Sequence, residues 1–194
     1  MRINGQDGTP AKVDKDGRLH TSATSHTEDH EAAIEGDAYV VDFDAIAVNT
    51  TEHLLVIKNT DDDPLVITSI TLWVDTFKEN TVVEVNLNET FTYGANGTAL
   101  TPVNMRSGIS GGADCIVYEI TAAGTDITTF GGTATKGGRF QPDIKVSKWE
   151  KSSGWVIPKN QVFSLYNKNA GISNNFHGYI SFYFHRSCNA EFKG

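Results

Sequence analysis

The chain has 194 residues, 39% hydrophobic and 21% charged, with a formal net charge of −8 at pH 7. Those values suit a globular chain with one good core, and exclude a disordered one; no apolar run nears the ~20 residues a membrane-spanning helix needs. The charge is uneven: residues 1–63 carry 14 Asp/Glu against 5 Lys/Arg, and residues 64–194 carry 10 against 11. An acidic first third argues against nucleic acid as a partner, because phosphate binding needs Lys and Arg. It suits a basic protein surface, with a plain solvated segment as the alternative.

The opening "MRINGQDGTP" has no apolar core of a secretory signal, which predicts no export by that route. "GRLHTSATSHTEDHEAAIEGDAY" (residues 17–39) then gathers three of the six histidines among five carboxylates. "GRLHTSATS" alternates enough to act as an added strand, with Leu19, Thr21 and Ala23 on one side. "SHTEDHEAA" predicts a helix of two turns at most, with Ser25 as cap and Glu28 completing a capping box. His26 and His30 are four apart, the spacing of zinc helices. The zincin pattern needs Glu directly after the first histidine, where this chain has Thr27. Residues 1–37 therefore read as an extended arm, not a metal site, and no cofactor or metal is expected.

From residue 38 the signal is strand. "AYVVDF" and "HLLVIKN" come first, then "NTDDDP", whose Asp61, Asp62 and Asp63 offer calcium-type oxygens or a solvated turn of Asx geometry. "PLVITSITLWVD" alternates, placing Val66, Thr68, Ile70, Leu72 and Val74 on one face and Ile67, Ser69, Thr71 and Trp73 on the other. "TVVEVNL" and "TALTPV" follow. "GISGG" matches the hydrolase pattern around Ser110, but a strand, "DCIVYEI", comes next where a nucleophile elbow needs a helix. In "DCIVYEI", Ile116, Tyr118 and Ile120 would share a side. "GGTATKGGR" reads as a glycine-rich loop carrying Lys136 and Arg139, lacking the ending of a phosphate loop. "FQPDIKVSKW" and "GWVIP" read as two strands with "KSSG" as the turn between them, and "QVFSLYN" precedes the last strand. "HGYISFYFHR" puts Ile180, Phe182 and Phe184 inward, with Tyr179, Ser181, Tyr183 and His185 outward. Strands of this length with turn residues between them predict an all-β, jelly-roll-like antiparallel sandwich of eight to ten strands, one domain spanning residues 38–194.

Other constellations read as structure before chemistry. Cys115 and Cys188 are expected as free, buried thiols. Trp73, Trp149 and Trp155 offer a sugar-stacking platform, or core and interface packing. His53, His177 and His185 lie far apart at strand edges, which argues against a cupin-type metal enzyme. The sequons at Asn49, Asn88 and Asn96 matter only in a secreted eukaryotic protein.

The arm "VDKDGRLHTSATSHTEDHEAAIEGDAYVV", the pair "HLLVIKNTDDDPLVITSITLWV", the segment "LTPVNMRSGISGGADCIVYE" and the ending "VIPKNQVFSLYNKNAGISNNFHGYISFYFH" together resemble the small virion structural proteins of tailed bacteriophages. In that group a polar arm with "GRL" and "EGDAY" precedes a β-sandwich. The resemblance implies a non-enzymatic virion component assembled as a symmetric oligomer. A capsid decoration (cement) protein, trimeric and docked on neighbouring capsid or other virion proteins, is expected; a tail, adaptor or receptor-binding module that binds carbohydrate is the alternative. The expected docking residues are Arg18, Leu19, His20, His26, His30 and Tyr39, with no membrane or nucleic-acid partner. An arm of some 37 residues reaches roughly 100 Å when extended and orders on its partner.

Overall fold

A computed structural model describes residues 28–48, 51–76, 81–87, 90–93, 97–106, 108, 112–120, 128–131, 133–145, 147–169 and 174–186. Val, Ile, Thr and aromatic residues recur at alternate positions, which suits a pleated, half-buried surface. One helix, α1 (Glu28–Glu35), precedes thirteen strands among the described residues. The strands are β1 (Ala38–Val48), β2 (Glu52–Asn59), β3 (Leu65–Val74), β4 (Val83–Leu87), β5 (Thr90–Tyr93), β6 (Gly97–Leu100) and β7 (Val103–Asn104). After them come β8 (Cys115–Ile120), β9 (Thr128–Gly131), β10 (Thr135–Phe140), β11 (Ser147–Ile157), β12 (Val162–Asn167) and β13 (Asn174–Phe184).

Two antiparallel sheets pack face to face as an all-β sandwich. Sheet I has the order β11-β3-β13-β1-β7, and sheet II the order β10-β4-β12-β2-β8-β6. β5 and β9 form a separate pair. Successive long strands change sheet: β1 to β2 to β3 to β4, and again β10 to β11 to β12 to β13. As a result β1 lies beside β13 and β2 beside β12, the first described strand beside the last and the second beside the last but one. Phe176, Ile180 and Phe182 of sheet I meet Leu55, Phe163 and Leu165 of sheet II in one buried cluster. Each such side chain contributes about 1.5–3 kcal/mol by leaving water.

The alternation expected for β3 breaks at one residue. Opposite β13, Ser181 pairs with Ser69 and Phe182 with Ile67, so Thr68 is an extra residue in a β-bulge. Its hydroxyl donates to the Ser181 carbonyl at 3.2 Å. A bulge reverses which face the following residues take. Leu65 and Ile67 therefore join Ile70, Leu72 and Val74 in the core. Val66 turns outward beneath α1, packed with Ala32, Ala38 and Tyr183.

Two predicted breaks are continuous strand. "KSSG" is a bulge within β11, where the register against β3 slips between Glu150 and Trp155 and Gly154 takes φ 63°. A Cβ at Gly154 would strike the Val66 side chain. "TKGGRF", expected as loop, is β10, the edge strand of sheet II. Its glycine content hid it: a Cβ on Gly137 would sit 2.6 Å from Val85 Cγ1 and 3.0 Å from Trp155 Nε1. Close approach of another group is a standard reason for glycine in a strand. In β8, Val117 and Ile120 are the buried positions, whereas Ile116 is exposed.

Candidate functional site

The arm predicted for residues 1–37 divides at Glu28. Residues 28–35 are helical, and Gly36, at φ 93°, ends the helix in the left-handed conformation. The Gly36 and Asp37 amides both donate to the Ala32 carbonyl, at 2.9 and 2.8 Å. Ala32 is buried on the outer face of sheet I, so this stretch lies on its own sandwich instead of extending away. A groove of about 390 Å³ runs beside the helix, lined by His30, Thr68, Ser69, Met105, Lys148 and Ser181. His30 is exposed there. Tyr39, grouped with the docking residues, is buried: its ring stacks on Phe182 at 5.7 Å and meets Phe184 edge-on. Inward alternation in β1 carries Tyr39, Val41 and Phe43 into the core together. Arg18, Leu19, His20 and His26 lie outside the described residues.

The acidic turn after β2 is neutralised by a cation from the other end of the chain. Asn59 and Asp61 side chains accept the amides of Asp61 and Asp63, at 2.9 and 3.0 Å, which is the Asx geometry. Arg186, just past β13, donates to Asp61 and Asp63, both at 2.8 Å, and to Asp37 at 3.2 Å. Its guanidinium also lies 5.3 Å from the centre of the Phe184 ring. Burial pushes the Asp61 carboxyl up, but the Asp63 amide and Arg186 outweigh it and hold it below its ordinary value. Lys159 pairs with Asp62. The turn is the Asx turn expected, with Asp62 exposed and Asp61 and Asp63 clasped by Arg186. Among the described residues, no group of three His, Cys, Asp or Glu side chains is set to hold a metal ion.

At the other end of β13 stands a second clasp. His177 pairs across the sheet with Asp44 of β1 and with Trp73 of β3. Its Nδ1 lies 2.7 Å from Asp44 Oδ1, its Nε2 lies 2.9 Å from Asp75 Oδ1, and its ring stacks on Trp73 at 5.8 Å. Two carboxylates on two ring nitrogens favour the form in which both nitrogens donate, the imidazolium. Burial pulls its pKa down, but the hydrogen bonds to Asp44 and Asp75 prevail and raise it above 6.5. Asn175 donates to Asp75 at 2.7 Å. The Asp44 amide donates to Glu119 of β8 at 2.6 Å, tying sheet I to sheet II.

A third cluster is centred on Glu84 of β4. Its carboxylate is 1% exposed and takes Lys136, Arg139 at 2.6 Å and Lys168 at 3.3 Å. Burial raises the carboxyl, and the three cations bring it below its ordinary value. Sequence reading placed Lys136 and Arg139 on a loop; they directly flank the glycine pair of β10, and the register shift between Lys136 and Gly138 lets residues three apart both reach Glu84.

The three tryptophans do not share a platform. Trp155 is buried and donates to the Gly137 carbonyl at 3.2 Å, and Trp149 packs on Phe140 at 4.6 Å. Trp73 alone faces outward, against His177. The histidines also stay apart: His53 is buried in sheet II beside Tyr166, and His185 lies eight residues, roughly 26 Å, from His177. Cys115 is a half-buried free thiol, and burial pushes its pKa up to about 12. Cys188, Ser110 and the sequons at Asn49, Asn88 and Asn96 lie outside the described residues.

Among the described residues, no helix is long and apolar enough to cross a membrane. Compared with protein-family models, curated proteins and solved structures, the chain matches none. Its own geometry offers strand ends tied by ion pairs, a helix laid on a sheet, and a groove open beside it.

Proposed function

We propose that this chain is a non-enzymatic structural protein of a tailed-bacteriophage virion. On this reading it is a capsid decoration (cement) protein with a jelly-roll sandwich, assembled as a trimer, whose first 27 residues dock on neighbouring capsid subunits. Support for the jelly roll comes from the strand order, with β1-β13-β3-β11 in one sheet and β2-β12-β4-β10 in the other. The observation that carries the reading is the place where the acidic N-terminal segment joins: α1 starts on the outer face of sheet I, beside an open groove. A polar segment attached outside a rigid sandwich can gain order against another subunit, exchanging chain entropy for contact area.

Limited proteolysis of purified particles and of the free chain tests this. Residues 1–27 should be cut in the free chain and protected in the particle. A chain found only in infected-cell lysate and never in particles overturns the reading, as does equal cleavage in both states. The carbohydrate-binding alternative draws on one observation, the outward Trp73 flanked by the exposed carboxylates of Asp44 and Asp75. Glycan-array binding abolished by Trp73→Ala would favour it over the capsid role.

A further inference from the structure

The sandwich has two long rims. One is made by β1 and β7 of sheet I beside β8 of sheet II, joined by the Asp44–Glu119 hydrogen bond and flanked by α1. The other is made by β11 and β10, closed from within by Phe140 against Trp149 and Trp155. Their charges are opposite. Residues 28–48, through α1 and β1, hold seven Asp/Glu and no Lys or Arg. Residues 135–157, from β10 through β11, hold five Lys/Arg against two Asp/Glu; Lys136 and Arg139 are paired with Glu84, which leaves Lys145, Lys148 and Lys151 as the rim's further cations. Two of the seven acidic residues are already paired, Asp37 with Arg186 and Asp44 with His177, and Arg106 lies just past β7.

The exposed apolar side chains follow the same division. Ile34, Val103, Met105 and Ile116 lie on or beside α1, β7 and β8, whereas Ile144 and Val156 lie on or just before β11. Every large exposed hydrophobic among the described residues is thus at one rim or the other. Each rim carries exposed apolar side chains beside an excess of charge of one sign, a composition that suits a recognition surface.

We propose that the two rims are the two halves of one interface between copies of this chain. The acidic β1–β7 rim of one subunit docks on the basic β10–β11 rim of the next. The sign of the charges selects the symmetry. A two-fold dimer places each rim against itself, acid on acid or base on base, and repels. A head-to-tail contact pairs opposite charges at every junction, and a ring closes it with no rim left open. This inference rests on the reading of the chain as an assembling subunit, and it names the surface that does the assembling.

Light scattering on the full chain and on two double variants tests it. Glu35→Lys with Asp42→Lys reverses the acidic rim, and Lys145→Glu with Lys148→Glu reverses the basic one. These four positions are exposed and lie outside the Glu84, Arg186 and His177 clusters. The unaltered chain should show a multiple of 21.1 kDa that falls toward one chain as salt rises from about 0.1 to about 1 M, where the screening length shrinks from ~10 to ~3 Å. Each variant alone should be a single folded chain by mass and circular dichroism. Mixing the two should give masses above one chain, since reversed rims attract each other; because unlike variants must alternate, only species built from unlike pairs form, and a closed ring of three does not. Assemblies indifferent to both reversals overturn the rim pairing but leave the virion reading standing, because that is decided by where the chain is found. A single chain at low salt overturns the pairing together with the expected trimer.

Discussion

The two clasps on β13 use the same anion with different cations. Past the C-terminal end of the strand, Arg186 joins Asp37, Asp61 and Asp63. Near its start, His177 joins Asp44 and Asp75. Arginine stays charged at every pH a folded protein meets, so its clasp is lost only when the carboxylates take up protons. Histidine loses its charge near neutrality. The Arg186 end fastens the start of β1 and the turn before β3 permanently. The His177 end fastens β1 to the segment after β3 with a strength set by pH.

The strand between the clasps is the place to break both. Gly178 pairs with Phe43 and Leu72, and a Cβ there would strike the Thr71 carbonyl oxygen and the Phe43 ring. Gly178→Ala is expected to cost about 2–3 kcal/mol, a fall of several degrees in Tm by calorimetry. An unchanged Tm would mean that β13 shifts freely between its neighbours. Arg186→Met should cost less, about 1–2 kcal/mol by urea unfolding, since the guanidinium is part-exposed and the orphaned aspartates regain some water.

The pH limbs separate the clasps further. Asp61 is held below 3.8, so its contribution is present above that value and lost as pH falls through the lower folded one. Urea midpoints between about pH 2 and pH 5 should therefore fall with acid, and the slope should flatten in Arg186→Met. The His177 limb runs the other way. Its folded pKa is raised, so its contribution is complete below 6.5 and lost as pH climbs through the raised value. The loss should be under ~1 kcal/mol, because both carboxylates are exposed. It should vanish in His177→Asn when midpoints at about pH 6 and about pH 9 are compared. An equal alkaline loss in that variant would assign the effect to another group.

Much of the architecture was legible in the chain. Alternation in "HGYISFYFHR" placed Ile180, Phe182 and Phe184 inward, as they lie, because a strand's side chains must alternate when one face is buried. Asx geometry at "NTDDDP" was also local and readable, since an Asp side chain reaches an amide two residues on. A short helix was anticipated at "SHTEDHEAA" and lies at Glu28–Glu35, with the expected cap Ser25 outside the described residues. Where reasoning failed, the missing information came from another strand. Nothing near Thr68 announces a bulge, because the extra residue exists only against Ser181 and Phe182. "TKGGRF" lacks strand-forming residues, and it is a strand because Trp155 and Val85 occupy the space its glycines leave.

By itself the sequence determined an all-β chain, an acidic leading segment and the two inner faces that exclude water. Those follow from side-chain period and composition, which act over a few residues. The tertiary structure alone decided that Arg186 meets aspartates 123 and 125 positions away, that His177 sits between Asp44 and Asp75, and that opposite rims carry opposite charge. The physical reason is the order of strands. Folding sets the last strand beside the first and third, so groups remote along the chain become neighbours only after the sheets have formed.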